Sequence, residues 1–203
     1  MLLLNFLIGV IVNFIGYVPF GNVNLTVVQL SINRGSRAAM YFITSFSVVE
    51  FFFTYTIMYF ADWFASQEQL LYWLDWILIG IFLILGISSW FNNQKESREA
   101  DYSLTESVRY GIILGIVNPM QIPFWMIGGT YLISKGWVET GHGALAIFSL
   151  GSAIGSFICL WCFSRFSTYL HERFAFSSKV LNRSIAGVFF LLAAYHIVKL
   201  ALA

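Results

Sequence analysis

Charge is what this chain has least of. Only 10% of its 203 residues are Asp, Glu, Lys or Arg, and none of these falls between Met1 and Asn33. The 11 basic residues against 10 acidic ones leave a net charge of +1, which supplies neither the basic field that nucleic acid needs nor an acidic tail. Nucleic acid is therefore excluded as a partner. Two cysteines and three histidines cannot complete a structural zinc site, because Cys159 and Cys162 have only His171 near them in sequence. No H-E-x-x-H, no nucleophile beside a base and no Walker loop occurs, so catalysis and nucleotide-driven work are not indicated, and no motif implies a cofactor. Proline is scarce as well, with three in the whole chain.

What is abundant is apolar surface. Hydrophobic residues make up 59% of the chain and aromatic ones 19%, with a mean hydropathy of +0.77, which places the protein in a lipid bilayer. The opening M-L-L-L-N-F-L-I-G-V lacks the basic region and small-residue cleavage site of a signal peptide and is expected to be retained as the first span. A straight helix crosses the hydrocarbon in ~20 residues. Cutting at clusters of charge and turn residues gives six apolar segments, at roughly 2 to 32, 38 to 60, 70 to 91, 104 to 134, 142 to 164 and 181 to 202.

Short cytoplasmic connections carry the excess of Lys and Arg. Nine of the 11 basic residues fall on one side: Arg34 and Arg37, then Lys95, Arg98 and Arg109, then Arg165, Arg173, Lys179 and Arg183. Lys135 and Lys199 fall on the other, so both termini are expected outside. Trp63, Trp73, Trp76 and Trp137 then lie at outer ends, with Trp90 and Trp161 at inner ends, as an aromatic belt requires.

One extended polar connection, residues 92 to 102, divides a single transmembrane domain (1–203) into two sets of three spans, 1–91 and 103–203. Three is odd, so halves of shared fold must be inverted relative to each other. The predicted fold is thus an all-α membrane protein of six helices in two inverted repeats. All three prolines lie in the first segment of a half: Pro19 in one, Pro119 and Pro123 in the other. Pro19 and Pro119 each fall about sixteen residues into their segment. Length points the same way, since a single helix over the uncharged N-terminal run would measure ~50 Å against a hydrocarbon thickness of ~30 Å. Segment four, which opens with a capping-box pattern at Ser103-Leu104-Thr105-Glu106, is also overlong.

Helices one and four are therefore predicted to be broken, at Pro19 and at Pro119/Pro123. Irregular backbone at membrane depth is tolerated where protein buries it or water reaches it, so the breaks should face a cavity. Pro19 and Gly21 open the first helix. Asn22 can cap the half-helix that follows, whose free N–H groups would seat an anion. Asn118, Pro119, Gln121 and Pro123 would do the same from the opposite side.

Glu50 lies near the centre of segment two, where a carboxylate costs several kcal/mol; such residues commonly face an ion path and relay protons. Ser47 and Thr54 share its helix face. Asp75 and Lys199 are expected at the interface, and His196 is read as interfacial too. Cys159-Leu-Trp-Cys162 lies deep in the fifth segment, far from the exposed setting of a redox pair. Gly111-x-x-x-Gly115 and Gly151-x-x-x-Gly155 mark close helix contacts, within the chain or between copies in a homodimer.

Taken in order, these residues resemble the lysine exporter and homoserine/threonine efflux family, LysE/RhtB. Pro19-Phe20-Gly21-Asn22 is similar to its P-G-P-N motif. Arg34-Gly35-Ser36-Arg37-Ala38 followed by Glu50 is similar to its R-G-x-R-A turn and later acid, and Asn118-Pro119-Met120-Gln121-Ile122-Pro123-Phe124 to N-P-K-x-x-x-F. The last span, L-N-R-S-I-A-G-V-F-F-L-L-A-A-Y, is likewise similar to the family's closing helix. Phe20 stands for the motif glycine, Gly21 for its second proline and Met120 for its lysine. The resemblance implies a secondary exporter in a bacterial inner membrane, moving a small zwitterion such as an amino acid or derivative. The substrate carboxylate would meet half-helix termini at Asn22 and near Pro119, Glu50 would meet the ammonium or exchange a proton, and Asn24 and Gln121 would add polar contacts. The alternatives are efflux of metal cations, for which a single deep carboxylate is a poor ligand set, an intramembrane enzyme, and a scaffold subunit.

Overall fold

A computed structural model describes residues 2–18, 21–65, 103–118, 121–167 and 178–202, together with residue 169 and scattered positions between 76 and 91. Pro19, Phe20, Asp75, Pro119, Met120 and the connection 92–102 lie outside the described residues. Every delimited element is helical: α1 (Leu2–Tyr17), α2 (Asn22–Arg34), α3 (Ser36–Ala65), α4 (Leu104–Val117), α5 (Gln121–Ser134), α6 (His142–Arg165) and α7 (Ser178–Leu202). In hydrocarbon a helix satisfies its own backbone groups, which is why so apolar a chain adopts little else.

Among the described residues two helices are long and apolar enough to cross a membrane unbroken, Ser36–Trp63 and His142–Arg165. The pairs α1/α2 and α4/α5 each qualify as one interrupted span, bent by 78° and 55° respectively. The protein is thus an all-helical, multi-pass membrane protein, and the long segments one and four are not continuous rods. Helical positions recur through 76–91, and α7 holds an apolar stretch, Ala186–Ala201.

Helix ends follow local chemistry, with two departures from expectation. The capping box at the start of α4 forms: Ser103 N–H donates to Glu106 Oε2 at 2.6 Å and Glu106 N–H to Ser103 Oγ at 3.3 Å. At α2, however, the N-cap is Gly21 rather than Asn22, in extended backbone and without a side-chain cap. Asn22 is already helical, and its side chain is exposed. Pro123 lies inside α5, in its first turn, where no N–H is required of it, so the interruption precedes Pro123. Between α2 and α3, Gly35 has φ +81°, a conformation that only glycine adopts without strain.

The chain forms two compact units, one of residues 1–62 and 99–175, the other of 63–98 and 176–203. In the first, glycines set the helix contacts. A Cβ on Gly9 would meet the Phe148 carbonyl oxygen, and Cβ atoms on Gly151 and Gly155 would meet those of Phe6 and Val10, so α1 and α6 touch backbone to backbone. Gly111 lies equally close to the Phe42 carbonyl and Gly115 to Val49 of α3. Both GxxxG patterns are therefore contacts within the chain. Beside them Val27, Leu30, Phe42, Ile43, Phe46 and Leu160 form a hydrophobic core joining α2, α3 and α6. In the second unit, His196 is buried, with its ring 5.8 Å from that of Phe82.

Candidate functional site

Helix α1 is inverted in character. Its buried positions are Asn5, Gly9 and Asn13, while Leu3, Ile11 and Ile15 are exposed. Steps of four residues keep Asn5, Gly9, Asn13 and Tyr17 on one face, so a polar stripe runs inward and the apolar residues face outward as in a lipid-embedded helix. Asn5 ties the N-terminal end, donating to the carbonyls of Glu139 and Ala144 at 3.0 and 3.1 Å and accepting from the Glu139 N–H at 3.1 Å. Gly9 brings the stripe against α6. Asn13 and Tyr17 reach Glu50.

Glu50, on α3, is completely buried. Asn13 Nδ2 donates to its Oε1 at 3.1 Å and to the Ser152 carbonyl of α6 at 2.8 Å. Tyr17 donates its hydroxyl to Glu50 Oε2 at 3.0 Å, and Gln121 Nε2, at the start of α5, also donates to Oε2. Tyr17 Oη in turn accepts from Asn118 Nδ2 at 3.2 Å and Gln121 Nε2 at 3.4 Å. Thr54, one turn beyond Glu50, pairs with the Ser152 hydroxyl at 3.1 Å. The Trp125 indole interacts with the same carboxyl from α5, outside ordinary hydrogen-bond geometry.

Every hydrogen-bond partner of the carboxyl is thus neutral, and the set draws on the last turn of α1, the first turn of α5 and the middle of α3. An ionised carboxylate only accepts, and these groups offer it donors. Side chains from before the first interruption, Asn13 and Tyr17, and from after the second, Gln121, meet at one acidic group, so each bent pair contributes to the Glu50 cluster.

The residues singled out from sequence are distributed unevenly. Glu50, Gln121 and Asn118 lie in one network. Asn24 is buried and donates to the Tyr17 carbonyl at 2.6 Å, fastening α2 to the end of α1 rather than touching Glu50. Gly21 has open space around it, and Asn22 caps nothing. Pro19 and Pro119 lie outside the described residues. Asn13, Tyr17, Trp125 and Ser152 escaped the sequence reading. The period-four polar stripe in an otherwise apolar first segment is the signal that could have found the first two. Cys159 and Cys162 are both free thiols. Among the described residues no group of three or more His, Cys, Asp or Glu could hold a metal ion.

Comparison with known proteins gives one family: the model described as LysE type translocator matches residues 14–200. No curated protein and no solved structure matches the chain.

Proposed function

The chain belongs to the LysE type translocator family, a family of transporters rather than enzymes, and on that premise we propose that it is a secondary-active exporter of a small zwitterionic solute, an amino acid or derivative, coupled to an ion gradient, with the proton as the coupling ion. The observation that carries this reading is Glu50. It is an acid buried among neutral donors from both interrupted helices, and a buried intramembrane acid of that kind is suited to alternate between a proton and an ammonium.

The proposal includes six spans in two inverted repeats. Its support is a crossed packing pattern: the first half-helix of each half lies against the second span of the other half, α1 on α6 and α4 on α3, through glycine contacts in both cases. Placement in a bacterial inner membrane follows from the resemblance to the family, and the orientation with both termini outside rests on the distribution of Lys and Arg.

The test is flux in proteoliposomes. An outward pH gradient should drive labelled amino-acid movement, and dissipating it should stop that movement. Flux of manganese or cadmium ions with no amino-acid flux would replace this reading with metal efflux.

A further inference from the structure

The exporter reading gives the proton to Glu50, and the hydroxyls around that residue bear on how a proton reaches it. We propose that Thr54 and Ser152 form a two-hydroxyl relay that passes protons to and from the Glu50 carboxyl. The inference rests on the exporter reading and adds two residues to its mechanism.

Groups that hold the carboxyl differ from groups that can give it a proton. Asn13 and Gln121 hold it with amide N–H bonds, and an amide nitrogen only donates. A hydroxyl both donates and accepts, so it can take a proton on one side while releasing its own on the other. Among the described residues two hydroxyls reach the carboxyl, that of Tyr17 at 3.0 Å and that of Thr54. The other hydrogen-bond partners of Tyr17 Oη are the amide nitrogens of Asn118 and Gln121, so that branch ends in groups that hold. Thr54 leads on. Its Oγ1 lies 3.1 Å from Ser152 Oγ, and either atom can be the donor.

The pair also departs from what helical hydroxyls do elsewhere in the chain. A serine or threonine within a helix can bond a carbonyl of its own preceding turn. Thr56 on α3 and Ser149 and Ser156 on α6 do so, donating to the carbonyls of Phe52, Leu145 and Ala153 at 2.8, 2.8 and 2.9 Å. Thr54 and Ser152, on the same two helices and both completely buried, bond across the helix contact instead. A hydroxyl that is not committed to its own backbone can reverse its direction, which a relay requires. The Ser152 carbonyl accepts from Asn13 Nδ2 at 2.8 Å, and the same nitrogen donates to Glu50 Oε1, so Asn13 keeps the acid and the hydroxyl pair in register.

In the loading step a hydronium ion from solution protonates Ser152 Oγ as Ser152 releases its own proton to Thr54 Oγ1, and Thr54 releases its own to the carboxylate. Each hydroxyl ends with one proton and a reversed direction, and Glu50 becomes a neutral acid. The reverse sequence returns the proton when solute arrives. The titratable neighbours are Tyr17 and, interacting with it from α6, Cys159. Helices α1 and α5 carry no acid or base, and α6 carries only His142 and Arg165, at its two ends.

The experiment uses the full chain in proteoliposomes with a labelled amino-acid mixture as probe, and reads the ratio of two rates: net accumulation under a pH gradient over exchange at equal pH. Thr54→Val keeps the shape of threonine, and Ser152→Ala keeps the carbonyl that Asn13 uses, so both variants should fold. Each should lower the ratio about tenfold or more, as for loss of a group that transfers protons. Thr54→Ser and Ser152→Thr, which retain a hydroxyl, should keep the wild-type ratio. A contact that only fastens α3 to α6 would lower both rates together, so an unchanged ratio in Thr54→Val and Ser152→Ala would overturn the relay and leave the exporter reading standing. A ratio lowered equally in the hydroxyl-retaining variants would show that packing is what matters, which also overturns it. Wild-type protein that moves no amino acid in either mode would overturn both readings.

Discussion

The two interrupted spans are alike in how they pack and unlike in what they carry. Both bring glycines onto a neighbouring helix, Gly9 of α1 against α6 and Gly111 and Gly115 of α4 against α3. Yet α1 buries asparagines beside its glycine, whereas the buried residues of α4 are Ser107, Gly111 and Gly115. The first pair supplies the Glu50 cluster from before its bend, through Asn13 and Tyr17. The second supplies it mainly from after its bend, through Gln121. Shared packing with divided chemistry brings both bent pairs to one acidic group.

If packing is the shared property, Gly151→Leu and Gly111→Leu should be equally damaging. Each side chain would be driven into facing backbone, at a cost of about 3 kcal/mol, read as loss of monodisperse protein and a lowered Tm. A large disparity between them would break the likeness. If chemistry is the divided property, Asn13→Leu should cost about 2 kcal/mol by leaving the Ser152 carbonyl and Glu50 each short of a donor. Ile113→Leu, one hundred positions on and exposed, should stay within about 0.5 kcal/mol. Thermal unfolding of the two variants side by side decides this.

Tyr17→Phe removes the one hydroxyl joining Glu50 to Asn118. It should cost about 1 to 2 kcal/mol and slow pH-driven flux about tenfold, since that range spans a tenfold effect. Ser103→Ala breaks the α4 capping box, and about 1 kcal/mol of stability should go with it. Because Ser103 lies at the far end of the helix from the cluster, flux per folded molecule should not change.

Much of this arrangement was legible in the sequence because membranes make few exceptions. The uninterrupted apolar runs became α3 and α6, and the overlong ones became bent pairs, since length and proline together forbid a single rod. Glu50 was conspicuous because charge at that depth is expensive. Asn13 and Tyr17 were not, because an asparagine in an apolar run has no single meaning until a partner is known, and their partner lies 37 and 33 positions away. Asn22 misled for a local reason: an N-cap preference cannot decide between adjacent residues, and the glycine before it took the extended position.

The central claim, that Glu50 couples solute movement to the ion gradient, is tested most directly by Glu50→Gln in proteoliposomes. Substrate exchange is measured at equal pH, and net accumulation under an imposed pH gradient. Gradient-driven accumulation should fall about 100-fold, as expected for removal of a proton-transferring group, and exchange should weaken with it, because the same carboxyl receives the ammonium. Accumulation at the wild-type rate, with the same dependence on pH, would contradict it.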